Sequence, residues 1–302
     1  MNSSGIRRQI RVGERRRKAV SLVLAACGLL FFLTSAGAAP RRVVSTFLCT
    51  DEYVFRLVAH GNIAALSNLS GDRNPVVSTI ADKVGGIAQI RPETEAVLNF
   101  KPDLVVMYAG TNARLHANLA ALGVPILDVP WDNSLADIRK TTLWLGKKFG
   151  AQDKARAMIA EMDAKLAAAQ RAAPRPSVRT LIYQPNGYAA NGAVTQELMA
   201  LAGLVDAAPQ LAATRAGTVP VEEVIAAAPQ LLILSGSSAV ANTRADLILR
   251  HPALAALSGR TAFASDPLVP LLCPGPWSAD AATAFARYGA KARLLGKRQA
   301  RN

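Results

Sequence analysis

The sequence predicts an α/β protein made of two similar lobes flanking one long helix. Three observations carry that prediction. Strand-like and helix-like segments alternate from Arg42 onward, a pattern that favours parallel sheets. The alternation stops between residues 134 and 171, where only helical spacing is found. A helix–proline–strand joint then recurs in the second half at an offset of 127 residues.

The first 38 residues stand apart from the alternation. Seven Lys/Arg between Arg7 and Lys18 precede the apolar run "AVSLVLAACGLLFFL" (19–33), and "AGA" at 36–38 supplies small residues for cleavage. That is the three-part plan of a secretory signal, and the run is short of the roughly 20 residues that cross a bilayer. "LAAC" ending at Cys27 resembles a lipoprotein box, so anchoring at Cys27 is the alternative to cleavage near Ala38. Without this block, 28 of the 35 Lys/Arg and 20 of the 21 Asp/Glu remain, a net charge of about +8. No basic run with interleaved aromatics is left, which argues against nucleic-acid binding.

The elements follow in order. "RVVSTFL" (42–48) reads as a first strand and "TDEYVFRLVA" (50–59) as a helix starting at Thr50 or Asp51. "IAALS" (63–67) is a second strand, followed by a polar loop holding "GDRNP". "TEAVLNF" is a short helix, and "DLVVMYA" (103–109), set between "KP" and Gly110, is a buried strand. "NARLHANLAALG" is a helix stopped by Gly123, and "VPILDV" is a strand, so the first lobe spans 42–133. Ser134 caps a helix over 135–149, and 151–171 continue without Gly or Pro for about 20 residues, roughly 30 Å of helix. This linker, 134–173, ends at "APRPS". The second lobe, 178–298, repeats the alternation: "RTLIYQ" strand, "TQELMALAG" helix, "VEEVIAAA" helix, "QLLILSG" strand, "ADLILRHPALAAL" helical and broken at Pro252, "RTAFAS" strand, and a closing helix from "SADAATAF".

The recurring joint aligns Glu95 with Glu222, Val97 with Val224, Pro102 with Pro229 and Val106 with Ile233. Each lobe thus carries a glutamate in the first turn of a short helix that feeds a buried strand. The helix dipole alone makes an acid comfortable there.

In order along the chain, "RRVVSTFLCTDE", "IAALSNLS", "KPDLVVMYAG", the long helix, "ANGAVTQELMALAGLVDAA", "VPVEEVIAAAPQLLIL" and "LCPGPWSADAA" resemble the periplasmic substrate-binding proteins of ABC importers for vitamin B12, ferric siderophores and haem. The resemblance covers roughly 42–295. It implies two Rossmann-like lobes joined by a rigid helix, with ligand in the cleft between them. A monomeric carrier in the periplasm serving a permease and its ATPase is also implied. One surface glutamate per lobe would dock on permease arginines, and Glu95 and Glu222 match those positions. Arg–carboxylate pairs are bidentate and orienting, while surface pairs stay weak enough to release. On this reading Glu95 marks a docking edge at the opposite end of its strand from the ligand.

Ligands of open α/β sheets bind beyond the carboxyl ends of the strands. The candidates there are Cys49, Thr50, Asp51, Arg73, Tyr108, Gly110 and Trp131 in the first lobe, and Tyr188, Ser235, Asp266 and Trp277 in the second. The aromatics offer rigid contact area to a planar or chelate ligand, with Trp277 and Tyr188 closing the cleft from the far side. Each is also a plausible core residue of its lobe. Arg73 would pair with an anionic ligand. Cys49 and Cys273 either join as a disulfide, coordinate a ligand metal, or have no role. His60, His116 and His251 lack ligand spacing, so no metal site or resident cofactor is expected; iron or cobalt would arrive within the ligand. No G-x-S-x-G, Walker-type or G-x-G-x-x-G motif is found, which argues against an enzyme and names no catalytic residue. A sensor domain for a membrane signalling partner would use the same fold. Ferric siderophore and cobalamin stay equally open as ligands, while few aromatics argue against a haem-sized apolar slot.

Overall fold

In a computed structural model, residues 39–73, 76–211, 217–235 and 243–299 are described. The expected leader and the Cys27 alternative lie outside them. Five strands form the first sheet: β1 (Val43–Ser45), β2 (Ile63–Ser67), β3 (Gln89–Ile90), β4 (Leu104–Tyr108) and β5 (Ile126–Val129), in the order β3-β2-β1-β4-β5. The second sheet holds β6 (Val178–Tyr183), β7 (Leu204–Asp206), β8 (Leu231–Leu234) and β9 (Ala262–Ser265), in the order β7-β6-β8-β9. Every pairing is parallel. β1, β2, β4 and β5 correspond in position to β6, β7, β8 and β9. The strand order reverses between β1 and β4 in one lobe and between β6 and β8 in the other.

The helices are α1 (Leu48–Leu57), α2 (Thr94–Leu98), α3 (Ala113–Ala121), α4 (Leu135–Lys148), α5 (Gln152–Ala172), α6 (Ala193–Leu201), α7 (Val221–Ala227), α8 (Val269–Leu272) and α9 (Ala279–Gln299). α1 starts before the expected Thr50, and β1 is correspondingly short. The extended Phe47 accepts from both the Thr50 hydroxyl (2.8 Å) and the Asp51 amide (2.9 Å), closing the first turn ahead of Thr50. Buried Leu48 looked like strand because hydrophobicity alone does not separate strand from helix. "ADLILRHPALAAL" forms two 3₁₀ turns, Arg244–Arg250 and Pro252–Leu257, split where His251 is held extended before Pro252. β3 and β7 were missed because two or three residues are too few to show a period.

The long helix α5 joins the lobes, as the sequence predicts, and α4 packs along it. On α5, Ala155 joins the first-lobe core while Met162, Leu166 and Ala169 join the second. α4 crosses in the opposite sense, with Leu135 and Ile138 in the second-lobe core and Leu145 in the first. Gly146 permits the close approach, since a Cβ there would stand 2.5 Å from that of Ala155. Arg139 of α4 also pairs with Asp163 of α5 at 2.5 Å.

The repeated joint occupies equivalent places in both sheets, and it shares two devices the sequence did not reveal. The residue before each proline is left-handed: Lys101 at φ 45° and Ala228 at φ 41°. An arginine at the start of each lobe's first strand, Arg42 just before β1 and Arg179 within β6, donates to the carbonyls ending each short helix. Arg42 reaches Phe100 and Lys101, and Arg179 reaches Ala227 and Ala228. A cation at a helix carboxyl end satisfies carbonyls that have no partner within the helix.

Candidate functional site

The two carboxyl edges are brought together. Cys49 follows β1, Cys273 follows β9, and the two are joined as a disulfide with Cα atoms 4.9 Å apart. Of the three roles open for these cysteines, the structure takes the first. The amide of Leu135, just beyond β5, donates to Glu197 of α6 in the other lobe at 3.0 Å. The space flanked by these edges lies at the reversal of strand order in each lobe, where open parallel sheets bind ligands.

On the first lobe an aromatic stack rises from β4. Tyr108 is 1% exposed; its ring lies parallel to that of Phe47 at 5.4 Å and meets the Trp131 edge at 4.1 Å. Trp131 donates its indole N–H to the Ala109 carbonyl at 2.8 Å, which fixes the ring while leaving it 53% exposed. Tyr108 therefore supports a platform whose open member is Trp131, with partly exposed Phe47 between β1 and α1. Phe47 was absent from the sequence reading, and its position two residues past β1 was the available signal. Burial, with the Asp132 carboxylate nearby, pushes the Tyr108 phenol up to about 12. Its hydroxyl has no hydrogen-bond partner among the described residues. Asp132, its own pKa raised by burial, accepts from Thr141 (2.6 Å) and Tyr53 (3.2 Å). Gly110 follows at φ +79° with open space around it.

Thr50 and Asp51 sit beneath this edge, both fully buried. Thr50 and Ser45 share a hydrogen bond of 2.8 Å. Asp51 accepts from the Ser67 hydroxyl (2.5 Å) and amide (3.2 Å), tying α1 to the end of β2. Burial pushes the Asp51 carboxyl up to about 7 against the opposing hydrogen bonds from Ser45 and Ser67. These two side chains read as the frame of the edge, since their polar atoms are spent internally. Arg73, expected to meet an anion, stands 3.2 Å from Asp82 in an exposed pair.

On the second lobe, Tyr188 is 41% exposed and bridges to Thr218. Ser235, at the end of β8, is nearly buried and donates its amide to Tyr183 at 2.9 Å. Asp266, after β9, accepts from the Tyr288 hydroxyl (2.7 Å) and the Leu268 amide (2.8 Å). Trp277 departs from its expected place as a cleft wall. It is 6% exposed, packs edge-on against Tyr53 at 4.9 Å, and donates to the Cys273 carbonyl at 2.7 Å. Its ring is spent on holding the lobes together. No group of three or more His, Cys, Asp or Glu among the described residues is arranged to hold a metal ion.

The glutamates are not at the far end of their strands from this edge, as expected from the sequence. α2 follows directly on β3, so its first turn emerges at the carboxyl edge. Asn112, just beyond β4, donates to the Pro92 carbonyl at 3.0 Å, and Glu95 shares a surface recess with Asn112 and Arg114. Glu222 lies at the matching place, close enough to Tyr183, the last residue of β6, for its charge to help raise that buried phenol to about 12. Both glutamates are exposed and make no ion pair among the described residues.

A family model described as periplasmic binding protein matches residues 43–260. No curated protein sequence matches the chain. Among similar solved structures is a periplasmic heme-binding protein, RhuT, from Roseiflexus sp. RS-1 in apo form. It has 22% identity and a TM-score of 0.65, over 83% of this chain and 98% of that one. The periplasmic vitamin B12 binding protein BtuF of Vibrio cholerae gives 20% and 0.60 over 84% and 98%. A possible iron-binding, periplasmic solute-binding protein from Staphylococcus epidermidis ATCC 12228 gives 16% and 0.64 over 83% and 98%. At these identities the likeness carries the fold. With most of both lobes inside the matched range, the chain belongs to the periplasmic binding protein family.

Proposed function

We propose that the chain is the solute-binding component of an ABC importer, exported to the periplasm, that captures a metal chelate and delivers it to a permease. The chelate is a ferric siderophore or cobalamin. What supports this reading is exposed aromatic surface past the strands of both lobes, Trp131 and Tyr188, together with an exposed glutamate near the carboxyl edge of each lobe, Glu95 and Glu222, that makes no ion pair among the described residues. Trp131 and Tyr188 offer flat apolar contact from opposite sides, suited to a bulky chelate. Glu95 and Glu222 flank the same edges, so a permease engaging both would cover the cleft mouth. Capture and handover then occur on one face.

The test separates the two steps. A Glu95→Ala, Glu222→Ala double variant should bind cyanocobalamin or a ferric hydroxamate with the wild-type affinity and fail to support its uptake in cells carrying the cognate permease. Wild-type uptake by that variant would contradict the docking role, and loss of binding would place the glutamates in the ligand site instead.

A further inference from the structure

α1 presents Cys49, Tyr53 and Arg56 at spacings of four and three residues, which is one face of a helix. The second lobe meets this face with Cys273 and Trp277, also four apart. The three contacts are in register: the disulfide between Cys49 and Cys273, the edge-on packing of Tyr53 on Trp277, and the Arg56 guanidinium 4.5 Å from the centre of the Trp277 ring. Each partner is fixed from behind. Arg56 is held by Glu52 and by the Thr79 hydroxyl (2.7 Å), and Glu52 accepts from Ser78 (3.0 Å) and the Thr79 amide (2.6 Å). Trp277 lies folded over Gly275, where any Cβ would stand 2.3 Å from the indole ring. The Ser278 hydroxyl donates to the Pro270 carbonyl at 2.8 Å and accepts from the Gly275 amide at 3.1 Å, closing the turn that carries both residues. Cys273 and Trp277 belong to the first-lobe core although their chain lies in the second.

We propose that this face is a second, redox-dependent attachment between the lobes, and that it sets the width of the cleft. A two-lobed chain joined only by the α4–α5 pair can rock about that pair. A covalent bond at the carboxyl edges removes that motion. In the oxidised chain the cleft is pre-set and changes width little; two-electron reduction of the S–S bond to two thiols by an added phosphine, itself oxidised to the phosphine oxide with water supplying the oxygen and the two protons, leaves Trp277 and its two partners as a non-covalent latch that opens transiently. The restraint does not rest on the identity of the ligand.

The test compares oxidised wild type, wild type in tris(2-carboxyethyl)phosphine, a Cys49→Ser, Cys273→Ser variant, and oxidised Trp277→Leu, by small-angle X-ray scattering and amide hydrogen exchange. Breaking the bond should raise the radius of gyration. It should also speed exchange about tenfold or more in residues 48–57 and 268–279, with β4, β6 and β8 unchanged. Oxidised Trp277→Leu should exchange faster in α1 while keeping the wild-type radius of gyration. The proposal is overturned if the Ser variant matches oxidised wild type in both measurements. It is equally overturned if exchange rises throughout both sheets, which makes the bond a staple of the whole fold. A larger radius of gyration in oxidised Trp277→Leu would also overturn it, because the bond would then not be what limits opening.

Discussion

Trp131 and Asp51 represent two ways a residue serves this edge. Trp131 is held by one hydrogen bond and edge contacts with the Tyr108 and Phe47 rings and keeps half its surface open, so its removal should cost the fold little. Trp131→Ala is expected to weaken chelate binding about tenfold or more, with little change in the thermal midpoint, as checked by titration and calorimetry on the same preparation. Asp51 is the opposite case. Its carboxyl is raised to about 7 in the folded chain, so the fold binds the proton more tightly than the unfolded chain does. Stability contributed by the protonated form is therefore complete below the usual carboxylate range and is lost as pH rises toward about 7. The slope is at most about 1.4 kcal/mol per pH unit. Asp132 shifts in the same direction, so the difference between wild type and Asp51→Asn isolates Asp51. Thermal midpoints between pH 4 and 8 should fall less steeply in Asp51→Asn, and parallel curves would contradict this. At this scale the sequence located the right segments and mistook several side chains. Tyr108 ends β4, whereas Asp51 lies inside α1 and Trp277 in a 3₁₀ turn beyond α8. Whether such a side chain faces the cleft or the lobe depends on neighbours distant in the chain, Ser67 for Asp51, Phe47 and Trp131 for Tyr108, and Tyr53 for Trp277, and sequence position does not carry that.

Among the elements, α5 and the repeated joint bear most of the architecture. α5 was legible because 21 residues without Gly or Pro can hardly be anything else. Its partnership with α4 was not, because two adjacent amphipathic helices do not announce that each serves both lobes. Met162, 1% exposed and packed in the second-lobe core, should cost about 2–5 kcal/mol on replacement by alanine, measured by denaturant unfolding. The joint was legible through its prolines and its buried Val97 and Val224. The arginines that clamp it were not, since Arg42 lies 58 residues and Arg179 lies 48 residues from the nearer carbonyl each meets. The direction of α2 was also misjudged: a two-residue strand, β3, delivers Glu95 to the carboxyl edge, and such a strand leaves no pattern to read.

For the whole molecule, alternation and the helical interruption were enough to give two parallel lobes about a helical spine. The facing of their carboxyl edges is recorded by contacts across the lobes: the disulfide, the Trp277 packing and the bond from Leu135 to Glu197. Those edges, with their exposed aromatics, carry the claim that this is a carrier of a metal chelate. The most direct test is an absorption titration of the purified, oxidised chain with cyanocobalamin, a ferric hydroxamate and haemin, repeated on a Trp131→Ala, Tyr188→Ala variant. The expected result is saturable one-to-one binding of cyanocobalamin or the ferric hydroxamate by wild type, clearly weakened in the variant. Saturation by none of the three, or equal binding by wild type and variant, would contradict it.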